Sequence, residues 1–87
     1  MNYEEEKIAR LKEAALERVS GGANASRETV RQRLLELYRA NRITLDEWDE
    51  ATTMTYKGDE ELERYLVHKA YQGGVWYELI LFYYGLD

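Results

Sequence analysis

The sequence contains no cysteine and no proline among its 87 residues. Disulfide bonds and thiolate metal sites are therefore excluded, and no helix is forced to kink or to end at a proline. No apolar run approaches the ~20 residues that a membrane-spanning helix needs. The start, MNYEEEK, carries acidic residues where a signal peptide needs basic ones. We therefore expect a cytoplasmic protein that does not enter a membrane.

The charged residues that are present divide the chain into two unlike halves. Hydrophobic residues make up 45% and charged residues 33%, a balance typical of a globular rather than a disordered chain. Residues 1–43 hold nine Lys and Arg against seven Asp and Glu, whereas residues 44–87 hold three against ten, which gives a net charge of −5. Such a polarity could steer a partner or a second copy, or could reflect solvated helix faces of different sign.

Apolar residues recur every three or four positions along most of the chain, which is the spacing of amphipathic helices. This spacing predicts a single small all-α domain of four to five short helices, over about residues 2–20, 26–41, 45–57, 60–72 and 75–84. Ser26 or Asn24 is expected to cap the second helix, and Asp59 the fourth. Asn41 is expected to end the second helix in the position where glycine is commonest.

The stretch NRITLDEW contains a complete helix-start signal. Thr44 stands at the N-cap and Glu47 three residues later, the spacing of a capping box in which two residues satisfy each other's backbone amides. Ile43 and Trp48 bracket that pair at the positions of a hydrophobic staple. We predict that these residues start the third helix and that the second and third helices form a capped helical hairpin.

The last segment, GGVWYELILFYYGLD, is apolar and aromatic nearly throughout. Aromatic and β-branched residues favour a strand, but no other segment offers a strand to pair with it. The three-four spacing continues through the glycines, so we predict a C-terminal helix, with a strand as the alternative. A helix that is apolar nearly all round either is wrapped by the other helices or offers a surface to a partner. The aromatic residues that would form this surface are Tyr71, Trp76, Tyr77, Phe82, Tyr83 and Tyr84.

Residues 26–66 resemble a known family of helical hairpins. Their middle, RLLELYRANRITLDEWDEATTMTY, is similar to the SHOCT (short C-terminal domain) hairpin and to its actinobacterial relatives of unknown function. The residues that fill the family pattern are Leu34, Leu37, Arg42, Ile43, Thr44, Glu47 and Trp48. The sequence departs from the pattern at Asn41, where the family usually has glycine. The resemblance implies a small oligomerisation or interaction module without catalytic residues.

The sequence holds no constellation of residues typical of an enzyme or a metal site. His68 is the only histidine, and without cysteine it has no obvious nucleophile or metal partner. The acids of LDEWDE lack the Asp-x-Asp-x-Asp-Gly loop of a calcium site, and neither glycine pair forms a phosphate-binding motif. We therefore predict that the protein is not an enzyme and needs no metal or cofactor.

Two modes of binding that involve nucleic acids are alternatives. Arg31 and Arg39 lie on one side of the second helix and could contact phosphates, although the third helix begins with acids that would then face the nucleic acid. Conversely, Asp59, Glu60 and Glu63 could imitate phosphates and block a DNA- or RNA-binding protein. Dedicated mimics are expected to be more acidic than a net charge of −5.

These observations together predict a non-catalytic protein–protein interaction module. It either associates with itself as a homo-oligomer or binds a larger partner protein. Small size, acidity and the lack of catalytic groups are also typical of a phage or mobile-element protein that modulates a host factor. An acidic nucleic-acid mimic is the alternative, and a DNA-binding protein is the weaker one.

Overall fold

The computed structural model describes residues 6–10, 13 and 24–86, and all regular secondary structure in these ranges is helical. Residues 6–10 and 13 belong to a first helix, α1. The helices that follow are α2 (Arg27–Arg39), α3 (Leu45–Lys57), α4 (Asp59–Ala70) and α5 (Val75–Tyr84). The predicted small all-α domain is confirmed, and its C-terminal segment is a helix rather than a strand. The remainder of the predicted helix 2–20 lies outside the described residues.

The hairpin of α2 and α3 is defined by a cap at each helix start and by a tight turn between them. The Ser26 side chain accepts a hydrogen bond from the Thr29 amide at 3.1 Å, which satisfies a free N–H of the first turn. Thr44 and Glu47 form the predicted capping box, with bonds of 3.1 and 2.9 Å. Asn41 has φ 60°, the left-handed conformation that ends α2. All three features confirm the predictions from the sequence.

The start of α4 differs from the prediction. The sequence suggests Asp59 as the N-cap, but Gly58 holds that position, and no side chain caps the helix. Gly58 has φ 154°, a conformation that residues with a side chain rarely adopt. Asp59 is instead the first residue of the helix, where its charge suits the helix dipole. Its carboxylate pairs with Arg27 Nε at 3.3 Å, so it links α4 to α2.

Helix α5 lies inside the domain. Its buried side chains, each at most 3% exposed, are Trp76, Leu79, Ile80, Tyr83 and Tyr84. Helix α4 packs along it. On other sides, the guanidinium of Arg33 lies 4.2 Å from the centre of the Phe82 ring, and the ammonium of Lys7 lies 4.2 Å from the centre of the Tyr77 ring. A helix that α1, α2 and α4 all contact has no need of a polar face, which explains its composition.

The inner sides of α2 and α4 complete the core. The buried residues that the three-four spacing predicts on these helices are Val30, Leu34, Leu37, Leu62, Leu66 and Ala70. Tyr38 and Tyr65, which follow the same three-four spacing, are half-buried. Each fully buried leucine contributes about 2 kcal/mol relative to an exposed one, so the two stripes are a major part of the stability of so small a domain.

Substitution of Asn41 tests the turn between α2 and α3. Asn41→Ala should lower the free energy of unfolding by about 1 kcal/mol, because alanine lacks the polar side chain that makes the left-handed conformation acceptable to asparagine. The matched variant Asn41→Gly, which adopts this conformation freely, should be at least as stable as the parent. Urea unfolding of the three proteins measures both differences. Equal midpoints for the two variants would contradict this explanation of the turn.

Candidate functional site

The aromatic residues that the sequence suggests as a contact surface have two different environments. The buried ones are Trp76, Tyr83 and Tyr84, which are 3%, 2% and 2% exposed. They belong to the core, so in the folded chain they cannot touch a partner, and the suggested surface is corrected accordingly. The physical reason is that α5 is covered by several other helices. Tyr71 is exposed, whereas Tyr77 and Phe82 are half-buried.

Trp76 donates a hydrogen bond to Glu47, the residue that also caps α3. Glu47 Oε2 accepts bonds from Trp76 Nε1 and from Lys69 Nζ, both at 3.2 Å. Glu47 Oε1 accepts the Thr44 amide at 2.9 Å. The Lys69 ammonium also lies 4.9 Å from the centre of the Trp76 ring. One carboxylate thus joins the start of α3 to α4 and α5. We call Thr44, Glu47, Lys69 and Trp76 the Glu47 cluster.

The surroundings of Glu47 favour its charged form. The bond from the Thr44 amide lowers its pKa most, burial acts in the opposite direction, and the bonds from Lys69 and Trp76 lower the pKa further, so that it lies below the ordinary value of 4.5. The side chains of Lys69 and Glu47 are only 13% and 25% exposed. Water therefore screens this ion pair less than it screens pairs on the surface. Both carboxylate oxygens already have partners, so the cluster is a structural link between helices.

Two phenols make similar links from the core to surface acids. Tyr84 Oη donates to Glu63 at 2.5 Å, and Tyr65 Oη donates to Glu50 at 3.2 Å. Burial and the bonded carboxylate raise the pKa of each phenol far above its ordinary value of 10.0. Both phenols are therefore protonated donors at neutral pH, and they connect α5 to α4 and α4 to α3.

The three acids suggested as phosphate mimics are already engaged within the chain. Asp59 pairs with Arg27 at 3.3 Å, and Glu60 pairs with Arg64 at 3.1 Å. Glu63 accepts a hydrogen bond from the Tyr84 phenol of α5. The side chains of Asp59 and Glu60 are 73% and 81% exposed, so these ion pairs contribute only about 0–1 kcal/mol. The acids remain on the surface, but each has a partner in its own chain.

The two arginines suggested for phosphate contact have different environments. Arg31 Nε donates to Thr55 Oγ1 at 2.8 Å, and its guanidinium lies 4.0 Å from the centre of the Tyr56 ring. Arg39 is exposed, and no ion pair joins it to another residue that the structure describes. Arg31 is thus committed to the packing of α2 against α3, and only Arg39 presents an unengaged charge.

An open groove of about 480 Å³ runs along the outer side of the hairpin between α2 and α3. We call it the hairpin groove. Helix α2 lines it with Glu28, Arg31, Gln32 and Leu35, and α3 lines it with Trp48, Thr52 and Tyr56. Tyr56 is 67% exposed, and Leu45, three turns before it on the same side of α3, is 57% exposed. Tyrosine, tryptophan and arginine are the residue types that are enriched at protein interfaces.

The hairpin groove was not predicted from the sequence, because its position depends on which side of α3 is buried. Ala51 and Thr55 are the buried residues of α3, and they fix which side of the helix faces the core. Leu45 and Tyr56 lie away from that side, so their exposure follows once the buried pair is known. The aromatic C-terminal segment was the stronger signal in the sequence, and it indicated the core instead.

No other chemistry is evident in the described parts of the chain. His68 is exposed in the last turn of α4. Among the residues that the structure describes, no group of three or more His, Asp or Glu side chains could hold a metal ion. None of the helices in those ranges is both long enough and apolar enough to cross a bilayer. Comparison with protein-family models, curated proteins and solved structures finds no match for the chain.

Glu47→Gln tests the Glu47 cluster and its pH dependence. The variant keeps the shape of the side chain but removes the charge that faces Lys69, so it should lose about 2 kcal/mol of stability at neutral pH. The folded-state pKa of Glu47 lies below 4.5. The stabilisation is therefore complete above this value and is lost as the pH falls through the folded-state pKa. Denaturant unfolding from neutral to acidic pH should show the parent losing its advantage on acidification.

Glu50→Gln is the matched control on the same helix. Glu50 is exposed and accepts a hydrogen bond from the phenol of Tyr65, and no ion pair joins it to another described residue. Its neutralisation should therefore cost well under half as much as that of Glu47. A difference between the parent and Glu47→Gln that stays constant down to acidic pH would show that the charge of Glu47 does not provide the stabilisation.

Proposed function

We propose that this chain is a non-catalytic protein–protein interaction module and that the hairpin groove is its contact surface. The observation that carries the proposal is the exposure of two large side chains on one side of α3, Tyr56 at 67%, which lines the groove, and Leu45 at 57%. Single exposed apolar side chains are ordinary in proteins. These two, however, lie on the same side of α3 as Trp48 and Thr52 of the groove. Exposed large side chains that lie together on one side of a helix are typical of a surface that a protein covers.

The large side chains of the groove are held in place without a partner. The Trp48 ring packs on Tyr38, with 5.7 Å between the ring centres. The Tyr56 ring lies against the guanidinium of Arg31, which the hydroxyl of Thr55 fixes in turn. Ordering a flexible side chain on binding costs about 0.5–1.5 kcal/mol. A surface whose aromatic residues are already ordered avoids much of this cost, which supports its use in binding.

Other functions receive less support from the same geometry. An acidic nucleic-acid mimic needs free carboxylates, but Asp59, Glu60 and Glu63 each pair with a residue of their own chain. A DNA-binding surface needs free arginines along α2, but Arg31 is engaged with α3. The resemblance of residues 26–66 to SHOCT hairpins agrees with an interaction role and stays a prediction. A cytoplasmic location and an origin in a phage or mobile element also stay predictions.

Site-specific photocrosslinking in cells that produce the protein tests this proposal. A benzophenone amino acid in place of Tyr56 keeps an aromatic ring at the centre of the proposed surface. We expect it to form a discrete covalent adduct with another protein, because a bound partner covers this position. The mass of the adduct tells whether the partner is a second copy of the chain or a larger protein.

Glu60 is the matched control position for this experiment. Its side chain is 81% exposed, and it lies on α4, outside the hairpin groove. The same amino acid at position 60 should give no discrete adduct. Adducts at both positions in equal yield, or at neither position, would reject the hairpin groove as the contact surface.

A further inference from the structure

We propose that a small pocket between α2 and α5 binds the C-terminal end of another protein whose last residue is apolar. The carboxylate of that residue pairs with Arg33 and Arg42, and its side chain fills the pocket. This site goes beyond the proposed function, because none of the residues that line it also lines the hairpin groove. We call it the arginine pocket.

The arginine pocket combines apolar walls with charged groups. Its volume is about 170 Å³. The apolar residues that line it are Leu37, Val75, Leu79 and Leu81, and the charged ones are Arg33, Arg42 and Glu78. Leu37 and Leu79 are buried in the core, so part of the wall is in place without a ligand. Pre-formed apolar pockets with a few charged groups are typical of binding sites.

The size of the pocket indicates what kind of group enters it. An apolar cavity of about 150 Å³ holds one benzene ring, whereas pockets that take a whole small-molecule ligand measure about 300–1,000 Å³. The arginine pocket therefore accommodates one apolar side chain, such as that of a leucine or a phenylalanine. An occupant of this size is one part of a larger molecule, the remainder of which lies outside the pocket.

The two arginines supply unused hydrogen-bond donors beside the apolar walls. Arg42 Nη2 donates to Glu78 Oε2 at 3.1 Å. Arg33 Nε lies 3.6 Å from Glu36, which is longer than a hydrogen bond. A guanidinium has five N–H donors, so both arginines keep donors for a further carboxylate, which arginine binds through two parallel bonds. The guanidinium of Arg33 is held in place by the ring of Phe82, whose centre lies 4.2 Å away.

A C-terminal residue carries both groups that the pocket requires. Its carboxylate and its apolar side chain leave the same Cα, so both lie within reach of one small pocket. An internal residue cannot provide both, because its side chain is either apolar or acidic. Helix α5 begins at Val75 without a side-chain cap, and the positive end of its dipole adds to the preference for an anion.

Glu78 is the acid among the residues that line the pocket, and it opposes an incoming carboxylate. It also occupies one donor of Arg42. Its neutralisation should therefore strengthen binding, whereas neutralisation of either arginine should weaken it. A purely structural role of the Arg42–Glu78 ion pair predicts the same effect for both of its members, so the opposite signs identify a carboxylate site.

NMR titration of the isotope-labelled full chain with a synthetic hexapeptide tests the inference. The peptide consists of glycine and serine residues followed by a leucine with a free carboxylate, and it is added to about 5 mM. We expect a dissociation constant of about 0.1–1 mM, with the largest shifts at the backbone amides of Leu37, Val75 and Leu79. The same peptide with an amidated end, or with glycine as its last residue, should bind about tenfold more weakly or less, because each lacks one of the two groups.

Single substitutions test the charges of the pocket. Arg33→Gln and Arg42→Gln should each raise the dissociation constant about fivefold or more, whereas Glu78→Gln should lower it about twofold or more. Arg64→Gln is the matched control, because Arg64 is also an exposed arginine paired with an acid, Glu60, but lies on α4. It should leave the dissociation constant unchanged. Thermal unfolding of each variant checks that the fold is intact.

Several outcomes would overturn the inference. They are an absence of shifts around the pocket at the highest peptide concentration, equal binding of the free and the amidated peptide, and weaker binding by Glu78→Gln. A further comparison uses 4-methylpentanoate, which has the leucine side chain and the carboxylate but no peptide chain. Affinity equal to that of the peptide would assign the pocket to a small carboxylic acid instead. Crosslinking at position 56 is independent of all these outcomes, so failure here leaves the proposed role of the hairpin groove in place.

Discussion

The carboxylate of Glu47 is the constraint on which the arrangement of the helices depends. It accepts hydrogen bonds from the Thr44 amide at the start of α3, from the ammonium of Lys69 on α4 and from the indole N–H of Trp76 on α5. A neutral or absent acceptor would leave the ammonium of Lys69 largely buried without a counter-charge, which destabilises a small domain appreciably. The capping box of the hairpin and the packing of the C-terminal helix therefore both depend on the side chain of Glu47.

The position of the aromatic C-terminal helix decides which large side chains are buried and which are exposed. A chain of 87 residues has little surface to bury, and each large aromatic side chain removes about 150–250 Å² from water. Trp76, Tyr83 and Tyr84 supply this burial, so their abundance is explained by stability. The exposed Leu45 and Tyr56 have no such explanation within the chain. The hairpin, held to the core through Glu47, therefore carries the surface that we propose for binding.

Local structure was predictable from the sequence to the extent that it depends on near neighbours. The capping box of Thr44 and Glu47 and the left-handed Asn41 follow from residues within a few positions of each other. The burial of α5 was not predictable, because a helix that is apolar all round fits a core and an interface equally well. The bonds from Lys69 and Trp76 to Glu47 span 22 and 29 residues. No local sequence pattern predicts these two hydrogen bonds. The hairpin groove follows only from the helix packing that the bonds stabilise.

The NMR signal of the Trp76 indole N–H tests the central place of Glu47 most directly. Because this proton is donated to a carboxylate inside the domain, it should exchange with water much more slowly than the indole proton of half-buried Trp48. Its chemical shift should also follow the protonation of a carboxyl group whose pKa lies below 4.5. Exchange as fast as that of Trp48, with no change of shift on acidification, would contradict the link between the hairpin and the core. It would also remove the reason to regard the hairpin groove as an ordered surface.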